Sequence, residues 1–162
     1  MARGITEERV RTTLDGSEFQ FKCTACGHCC KGPGDVYFTE EDLQAIKKHL
    51  KLGAFGFARL KRKLIQERIP GYYVHRSGEA CILLQNNRCS VYEVRPLQCK
   101  TYPFWPSNFQ SRANFRSLVK ECPGTMAGKG RPMDASAVTK KVKATEREFL
   151  KPQGPIEDTI ML

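Results

Sequence analysis

The sequence predicts an α+β fold with short strands, several helices, a C-terminal helix and a tail. Two kinds of pattern support this: brief alternations of apolar and polar residues, which are typical of strands, and apolar residues three or four apart, which are typical of helices. Turn residues such as glycine, proline and asparagine separate these segments throughout the 162-residue chain. Hydrophobic residues make up 40% of the sequence, so the chain can bury a modest core.

The organisation along the chain suggests four segments. Residues 1–16 are mixed and charged and are expected to form a flexible N-terminal arm. Residues 17–132 hold all eight cysteines and are expected to form the main domain. A C-terminal helix is predicted over 133–150, and residues 151–162 are predicted to be a loose tail.

The first elements are two short strands and a helix. Alternation predicts strands at 17–21 and 36–38. Thr39 can cap the helix that follows, and the acidic residues after it favour the positive end of the helix dipole. Its inward face is formed by Leu43, Ile46 and Leu50, and Gly53 is a plausible stop.

A second helix is predicted over 54–69, with Pro70 ending it. The expected inward residues are Phe57, Leu60 and Leu64, and the expected outer residues are Arg59, Lys61, Arg62 and Lys63. A basic outer face of this kind is usually just exposed to solvent. The alternative is that it binds nucleic acid or an acidic partner.

The second half of the chain continues the mixed pattern. Short strands are predicted at 71–75, 80–84 and 89–92, and Asn86-Asn87 is a good turn between the last two. Three helices are then predicted: a short one opening at Arg95-Pro96 and carrying Cys99, one over 112–121, and one capped by Asp134 that runs to about Phe149.

The cysteines are best explained by metal binding. No apolar run is long enough to span a bilayer and the N-terminus lacks a signal-like apolar region, so a cytoplasmic location is expected. Thiols in a reducing compartment rarely persist as disulfides, whereas metal ligation protects them and adds folding energy. Four disulfides in a secreted domain remain the minor alternative.

The first four cysteines form a C-x2-C-x2-C-C motif at Cys23, Cys26, Cys29 and Cys30. Gaps of two residues let a tight turn bring thiolates onto one metal, as in zinc knuckles and iron–sulfur loops. Adjacent side chains generally diverge. Cys29 and Cys30 should therefore serve different metals, or different corners of a polynuclear centre.

The other four cysteines are Cys81, Cys89, Cys99 and Cys122. Two sets of four cysteines predict either two tetrathiolate sites, or one cluster with spare reactive thiols. Spacing does not separate zinc from iron–sulfur, although a third cysteine at a two-residue gap exceeds what a zinc knuckle needs and favours iron–sulfur. An aromatic group after Cys99 is expected to shield the metal from water; its members are Tyr102, Phe104, Trp105 and Phe109.

Several short motifs together resemble a known family, the zinc- or iron-chelating cysteine-cluster proteins often called YkgJ-like. The motifs are Cys23-Thr-Ala-Cys26-Gly-His-Cys29-Cys30, Phe38-Thr-Glu-Glu-Asp-Leu43, Cys81-Ile-Leu-Leu84, Cys89-Ser-Val-Tyr-Glu-Val-Arg-Pro-Leu-Gln-Cys99, Tyr102-Pro-Phe104 and Cys122-Pro-Gly124. The resemblance runs from about Phe21 to Gly124 and includes all eight cysteines. It implies metal chelation with no settled reaction. Related modules occur in flagellin lysine methylases, but 162 residues are expected to be too few for an additional methyltransferase domain, so that activity is not expected here.

Three functions are compatible with these observations. The first is a redox or iron–sulfur accessory protein that acts with a protein partner. The second is a zinc-stabilised binding module for RNA or protein, and the third is a subunit or relative of a protein-modifying enzyme such as a lysine methylase. No catalytic acid, base or nucleophile can be named. Nucleic-acid binding is expected to be at most weak and non-specific, because the basic segments lack regular aromatic interleaving.

Overall fold

The structure is a computed structural model that describes residues 4–126 and 128–150. Their contacts divide them into two compact units. Of the described residues, unit 1 contains 4–29, 101–126 and 128–150, and unit 2 contains 30–100. The predicted α+β class is confirmed, since both helices and short antiparallel strands are present.

Helices and short strands follow one another along the described chain without regular alternation. The helices are α1 (Glu7–Leu14), α2 (Glu40–His49), α3 (Ala54–Leu64), α4 (Leu97–Thr101), α5 (Arg112–Glu121) and α6 (Ala135–Leu150). The strands are β1 (Gly34–Phe38), β2 (Glu67–Ile69), β3 (Tyr72–Ser77), β4 (Leu84–Gln85) and β5 (Arg88–Cys89). Short 3₁₀ turns cover His28–Cys30, Tyr92–Val94, Pro106–Phe109 and Pro123–Thr125.

Unit 1 is a helical unit in which α1 packs against α5 and α6. Its core consists of Ile5, Val10, Leu14, Phe19, Phe109, Leu118, Cys122, Val138 and Val142. Phe19 lies among three other phenylalanine rings, all in edge-on contact with it. Such edge-on pairs add to the stabilisation that the buried area provides.

The expectation of a loose N-terminal arm over 1–16 is wrong for Glu7–Leu14. The Thr6 side-chain oxygen accepts a hydrogen bond from the Arg9 amide at 3.2 Å, which caps α1. Val10 and Leu14 are buried in the core, and this packing holds the helix in place. Residues 1–3 and the predicted tail, 151–162, lie outside the described residues.

Unit 2 is built on a three-stranded antiparallel sheet in the order β1-β3-β2. Its core consists of Phe38, Leu43, Ile46, Phe57, Leu64, Tyr73, Leu83 and Val91. The strand predicted at 36–38 is confirmed within β1. The second helix was predicted too long: α3 ends at Leu64, because residues 67–69 pair with β3 as strand β2.

Two local sequence signals in unit 2 are confirmed. Thr39 and Asp42 form a capping box, with reciprocal hydrogen bonds of 3.1 and 3.0 Å between side chain and backbone. Asn86 and Asn87 both have positive φ, 48° and 60°, as a tight hairpin turn requires. They join strands of two residues each, so β4 and β5 are shorter than predicted.

The helices of the second half follow the predictions closely. α4 carries Cys99, α5 covers the predicted residues, and Asp134 caps α6 through a 2.7 Å hydrogen bond from the Ala137 amide. The strand expected at 17–21 is instead an isolated bridge between Phe19 and Met133. Within the part of the chain that the structure describes, no helix is both long and apolar enough for a membrane span.

His75 is a buried ionisable side chain in unit 2. Its Nδ1 lies 2.9 Å from the Leu64 carbonyl oxygen and 3.1 Å from Gln66 Oε1. Both partners are acceptors, so Nδ1 carries the proton of a neutral ring. Nε2 is buried with no hydrogen-bond partner among the described residues. Burial therefore lowers the pKa of His75 below its ordinary value of 6.5, while the Leu64 hydrogen bond opposes this in part.

This environment predicts acid-sensitive stability. Because the unfolded chain binds the His75 proton more readily, stability is full above the unfolded pKa and falls as pH drops from there towards the folded pKa. We expect the urea midpoint of the native protein to fall more between about pH 7.5 and about pH 5.5 than that of His75→Gln. His28 and His49 remain in both proteins, so the difference isolates His75. Equal pH dependence in the two proteins would contradict this assignment.

Candidate metal centre

The eight cysteines divide evenly between the two units. Unit 1 holds Cys23, Cys26, Cys29 and Cys122. Unit 2 holds Cys30, Cys81, Cys89 and Cys99. The division falls between the adjacent residues Cys29 and Cys30. That these two thiols serve different sites stays a prediction.

In unit 1, tight turns shape the C-x2-C-x2-C segment. Ala25 and Gly27 both have positive φ, 52° and 73°, and each lies between two of the cysteines. Gly27 adopts this conformation at little cost, whereas Ala25 is a less usual residue there. Such turns leave backbone N–H groups pointing towards a common side, where they favour negative charge such as that of thiolates.

Cys122 joins this segment through a close backbone approach. The Lys22 amide donates to the Gly124 carbonyl at 2.9 Å. A Cβ atom on Gly124 would lie 2.5 Å from the Lys22 carbonyl oxygen, so only glycine fits here. Because Cys122 ends α5 and Lys22 precedes Cys23, this contact brings distant parts of the sequence together.

Burial and neighbouring groups change the pKa of the Cys122 thiol. Burial raises its pKa, and the charges of Cys26 and Cys29 act in the same direction. The Gly124 amide and the Tyr102 hydroxyl, which hydrogen-bond to the sulfur, oppose this by favouring the thiolate. Three of the four unit 1 cysteines thus interact electrostatically.

The His28 side chain forms a hydrogen bond with the backbone. Its Nδ1 lies 3.1 Å from the Glu121 carbonyl oxygen, which ties the cysteine loop to the end of α5. This contact supports the loop beside Cys29.

In unit 2, backbone pairing brings three cysteines close in the fold. The Cys81 amide donates to the Cys30 carbonyl at 2.8 Å, and Lys31 forms a bridge with Ala80. The β4–β5 hairpin then returns the chain so that Cys89 pairs with Leu84. Hydrogen bonding to Cys30 lowers the pKa of Cys89 to about 6.

Other groups around Cys89 also favour its thiolate, although burial opposes them. They are the Val91 amide, the guanidinium of Arg95 and the imidazole of His49. Arg95 is held in place by stacking 3.8 Å from the centre of the Tyr92 ring and by donating to the Tyr92 carbonyl at 2.9 Å. The positive charge of Arg95 thus acts on Cys89.

Cys99 lies half-buried on α4. The preceding residue, Gln98, fastens that helix to β1. Gln98 Oε1 accepts from the Tyr37 amide at 3.0 Å, and its Nε2 donates to the Asp35 carbonyl at 2.9 Å. These bonds fix the position of the helix that presents the fourth thiol of unit 2.

The two units share a feature of sulfur-based metal sites. In each, one cysteine sulfur accepts a hydrogen bond from the amide two residues further on: Gly124 for Cys122, and Val91 for Cys89. Amide donors of this kind stabilise metal-bound thiolates and tune the metal.

The donor chemistry therefore fits a thiophilic metal. Four sulfurs per unit match zinc or an iron–sulfur cluster, which prefer thiolates, better than magnesium or calcium, which prefer oxygen. Within residues 4–126 and 128–150, no group of three or more cysteine, histidine, aspartate or glutamate side chains is already positioned to hold an ion. The cysteines therefore fit a thiophilic metal by the type of their donor atoms and by their grouping into the two units.

The four aromatic residues that were expected to shield the metal form two separate pairs in the structure. Phe109 belongs to the unit 1 core, and Phe104 stacks on it at 6.4 Å. Tyr102 packs edge-on against Trp105 at 5.0 Å and contacts the Cys122 sulfur through its hydroxyl. Sequence reasoning missed this hydroxyl contact and the role of Gly124, since neither has a periodic signal.

The Tyr102 contact gives a specific prediction. Burial and the neighbouring sulfurs raise the Tyr102 pKa, so the hydroxyl keeps its proton and donates to Cys122. We expect Tyr102→Phe to weaken metal binding in unit 1 by about 10- to 100-fold, the usual cost of losing an outer contact to a ligand. Chelator competition measures this. Tyr37→Phe in unit 2 is the matched control, and equal affinities for both variants and the native protein would contradict the prediction.

Comparison with known proteins agrees with this chemistry. No solved structure was found to match the chain. The sequence model of the CxxCxxCC family, described as "Putative zinc- or iron-chelating domain", matches residues 22–123. That stretch covers more than half of the chain and contains all eight cysteines. The resemblance noted in the sequence is confirmed, and the chain belongs to the CxxCxxCC family of zinc- or iron-chelating domains.

Proposed function

We propose that the protein binds metal at two four-cysteine sites, one in each unit, and acts as a redox or iron–sulfur accessory protein with a protein partner in the reducing cytoplasm. The observation that carries this proposal is the four-and-four division of the cysteines at Cys29 and Cys30. Two adjacent thiols in different units are poorly suited to a single mononuclear site.

The residues of each site have distinct tasks. Cys23, Cys26, Cys29 and Cys122 would hold metal in unit 1, and Cys30, Cys81, Cys89 and Cys99 would hold it in unit 2. When bound, an iron–sulfur cluster would supply one-electron redox chemistry, whereas zinc would supply structure. The amides of Val91 and Gly124 and the Tyr102 hydroxyl stabilise the thiolate forms.

Iron–sulfur is preferred over zinc because the first motif has more closely spaced cysteines than a zinc knuckle needs. The zinc-stabilised binding module is the second candidate. The densely basic surface of α2 and α3 favours it, since a binding module needs an interaction surface more than a redox centre.

Anaerobic purification followed by metal analysis and an absorption spectrum tests the proposal. We expect iron and inorganic sulfide with visible charge-transfer absorption. A colourless protein with stoichiometric zinc would favour the second candidate. Protein that takes up neither metal after anaerobic reconstitution would overturn both.

A further inference from the structure

The basic charge of the chain is concentrated in α2, α3 and their connection. Between Asp42 and Glu67 the sequence has no acidic residue. In this stretch lie Lys47, Lys48, Lys51, Arg59, Lys61, Arg62 and Lys63. Seven positive charges here compare with a net charge of +10 for the whole chain. The surface is therefore strongly positive in an otherwise mixed protein.

Two of these lysines serve the fold of unit 2. Lys61 lies 3.5 Å from Glu40 Oε2 and 4.9 Å from the centre of the Tyr73 ring. Lys47 lies 5.2 Å from the centre of the Phe57 ring. The sequence analysis placed Lys61 on the outer face, but it is half-buried between the helix and the sheet. The five exposed cations that remain are Lys48, Lys51, Arg59, Arg62 and Lys63.

An aromatic ring projects from the same surface. Phe55 is 94% exposed, which is unusual for so large an apolar side chain. At 100° per residue, Phe55, Arg59 and Arg62 fall on one stripe of α3. Phe57 and Leu64 are buried on the opposite side. The exposed ring thus belongs to the basic face.

Three kinds of partner have the complementary charge, and the surface favours one. An interfacial membrane helix needs a free apolar face, but the apolar face of α3 is buried in unit 2. Protein–protein interfaces are depleted in lysine, whereas nucleic-acid interfaces are far more positive. Single-stranded nucleic acids combine phosphates with unpaired bases that stack on exposed rings.

We propose that the exposed stripe of α3 formed by Phe55, Arg59 and Arg62, within the positively charged stretch that also holds Lys48, Lys51 and Lys63, binds single-stranded nucleic acid. The cations neutralise phosphates, and the Phe55 ring stacks on one unpaired base. Binding is salt-dependent and largely independent of sequence, because neither phosphate neutralisation nor stacking on a ring distinguishes the bases. This role is separate from metal chelation by the cysteines.

The test uses the metal-loaded full chain and a fluorescein-labelled oligouridylate of about 16 nucleotides, followed by fluorescence anisotropy at several salt concentrations. We expect Phe55→Ala to weaken binding about 5- to 150-fold without lowering the melting temperature, since the ring is exposed. The double substitution Arg59→Gln/Arg62→Gln should reduce the salt slope by about 1.4.

The matched control removes the same charge elsewhere. Lys140→Gln/Lys143→Gln lies on the exposed side of α6 in unit 1 and should leave affinity nearly unchanged. A duplex of the same length should bind more weakly than the single strand. The proposal is overturned by no binding at low salt, by unaltered affinity of Phe55→Ala, by an equal loss in the α6 control, or by preference for the duplex. It is also overturned if acidic phospholipid vesicles or polyglutamate bind this face more tightly than the oligonucleotide.

Discussion

Removing the metal is expected to abolish cooperative unfolding of this chain. A structural metal contributes about 10 kcal/mol or more in small thiolate domains, while the net stability of a domain is about 5–15 kcal/mol. Among the described residues, the core cluster of unit 1 has nine buried members and that of unit 2 has eight. Without metal, neither core is expected to hold its cysteine loops in place.

Anaerobic calorimetry before and after chelation measures this effect. We expect the sharp transition of the loaded protein to become broad and weak, and to return when metal is restored. In Cys26→Ser we expect the unfolding transition of unit 1 to be as broad and weak as it is after chelation. The transition of unit 2 should stay sharp. A melting curve that chelation leaves unchanged would show that the cysteines do not stabilise the fold through metal.

The second large effect is expected at Gly124. An added Cβ would lie 2.5 Å from the Lys22 carbonyl oxygen and 3.1 Å from the Phe21 ring. Backbone atoms cannot yield as a flexible side chain does, so Gly124→Ala should cost about 1–3 kcal/mol from overpacking. It should also separate Cys122 from the Cys23 segment and weaken metal binding in unit 1.

Chemical denaturation and chelator competition measure the two consequences. Gly78→Ala is the matched control, because a Cβ there meets no atom within 4 Å and its φ is not positive. We expect the control to retain native stability and affinity. If Gly124→Ala behaves like Gly78→Ala, the close approach of the two segments is not required for the unit 1 site.

Local signals explain why much of unit 2 was predictable. The capping box at Thr39 and Asp42 depends on residues three apart, and the turn at Asn86 and Asn87 depends on two adjacent residues with positive φ. Strand β2 was missed because residues 67–69 extend an apparently helical run. Their conformation is set by pairing with β3, which sequence periodicity does not report.

The cysteine site was predictable in composition and less so in arrangement. Its expected donor residues follow from spacing and cellular chemistry, and the divergent roles of the adjacent Cys29 and Cys30 stay a prediction. The approach of Gly124 to Lys22 spans about a hundred residues, and the Tyr102 contact with Cys122 depends on the path between them. Helix α1 was missed because its stability comes from burying Val10 and Leu14 against distant helices.

The metal content of single-unit cysteine variants tests the central claim most directly. Cys26→Ser removes a ligand from unit 1, and Cys89→Ser removes one from unit 2. If the two sites are independent, we expect each variant to bind half of the native amount of metal after anaerobic reconstitution, and the double variant to bind none. If either single substitution removes all of the metal, or if both variants keep the native content, the assignment of one four-cysteine site to each unit is wrong.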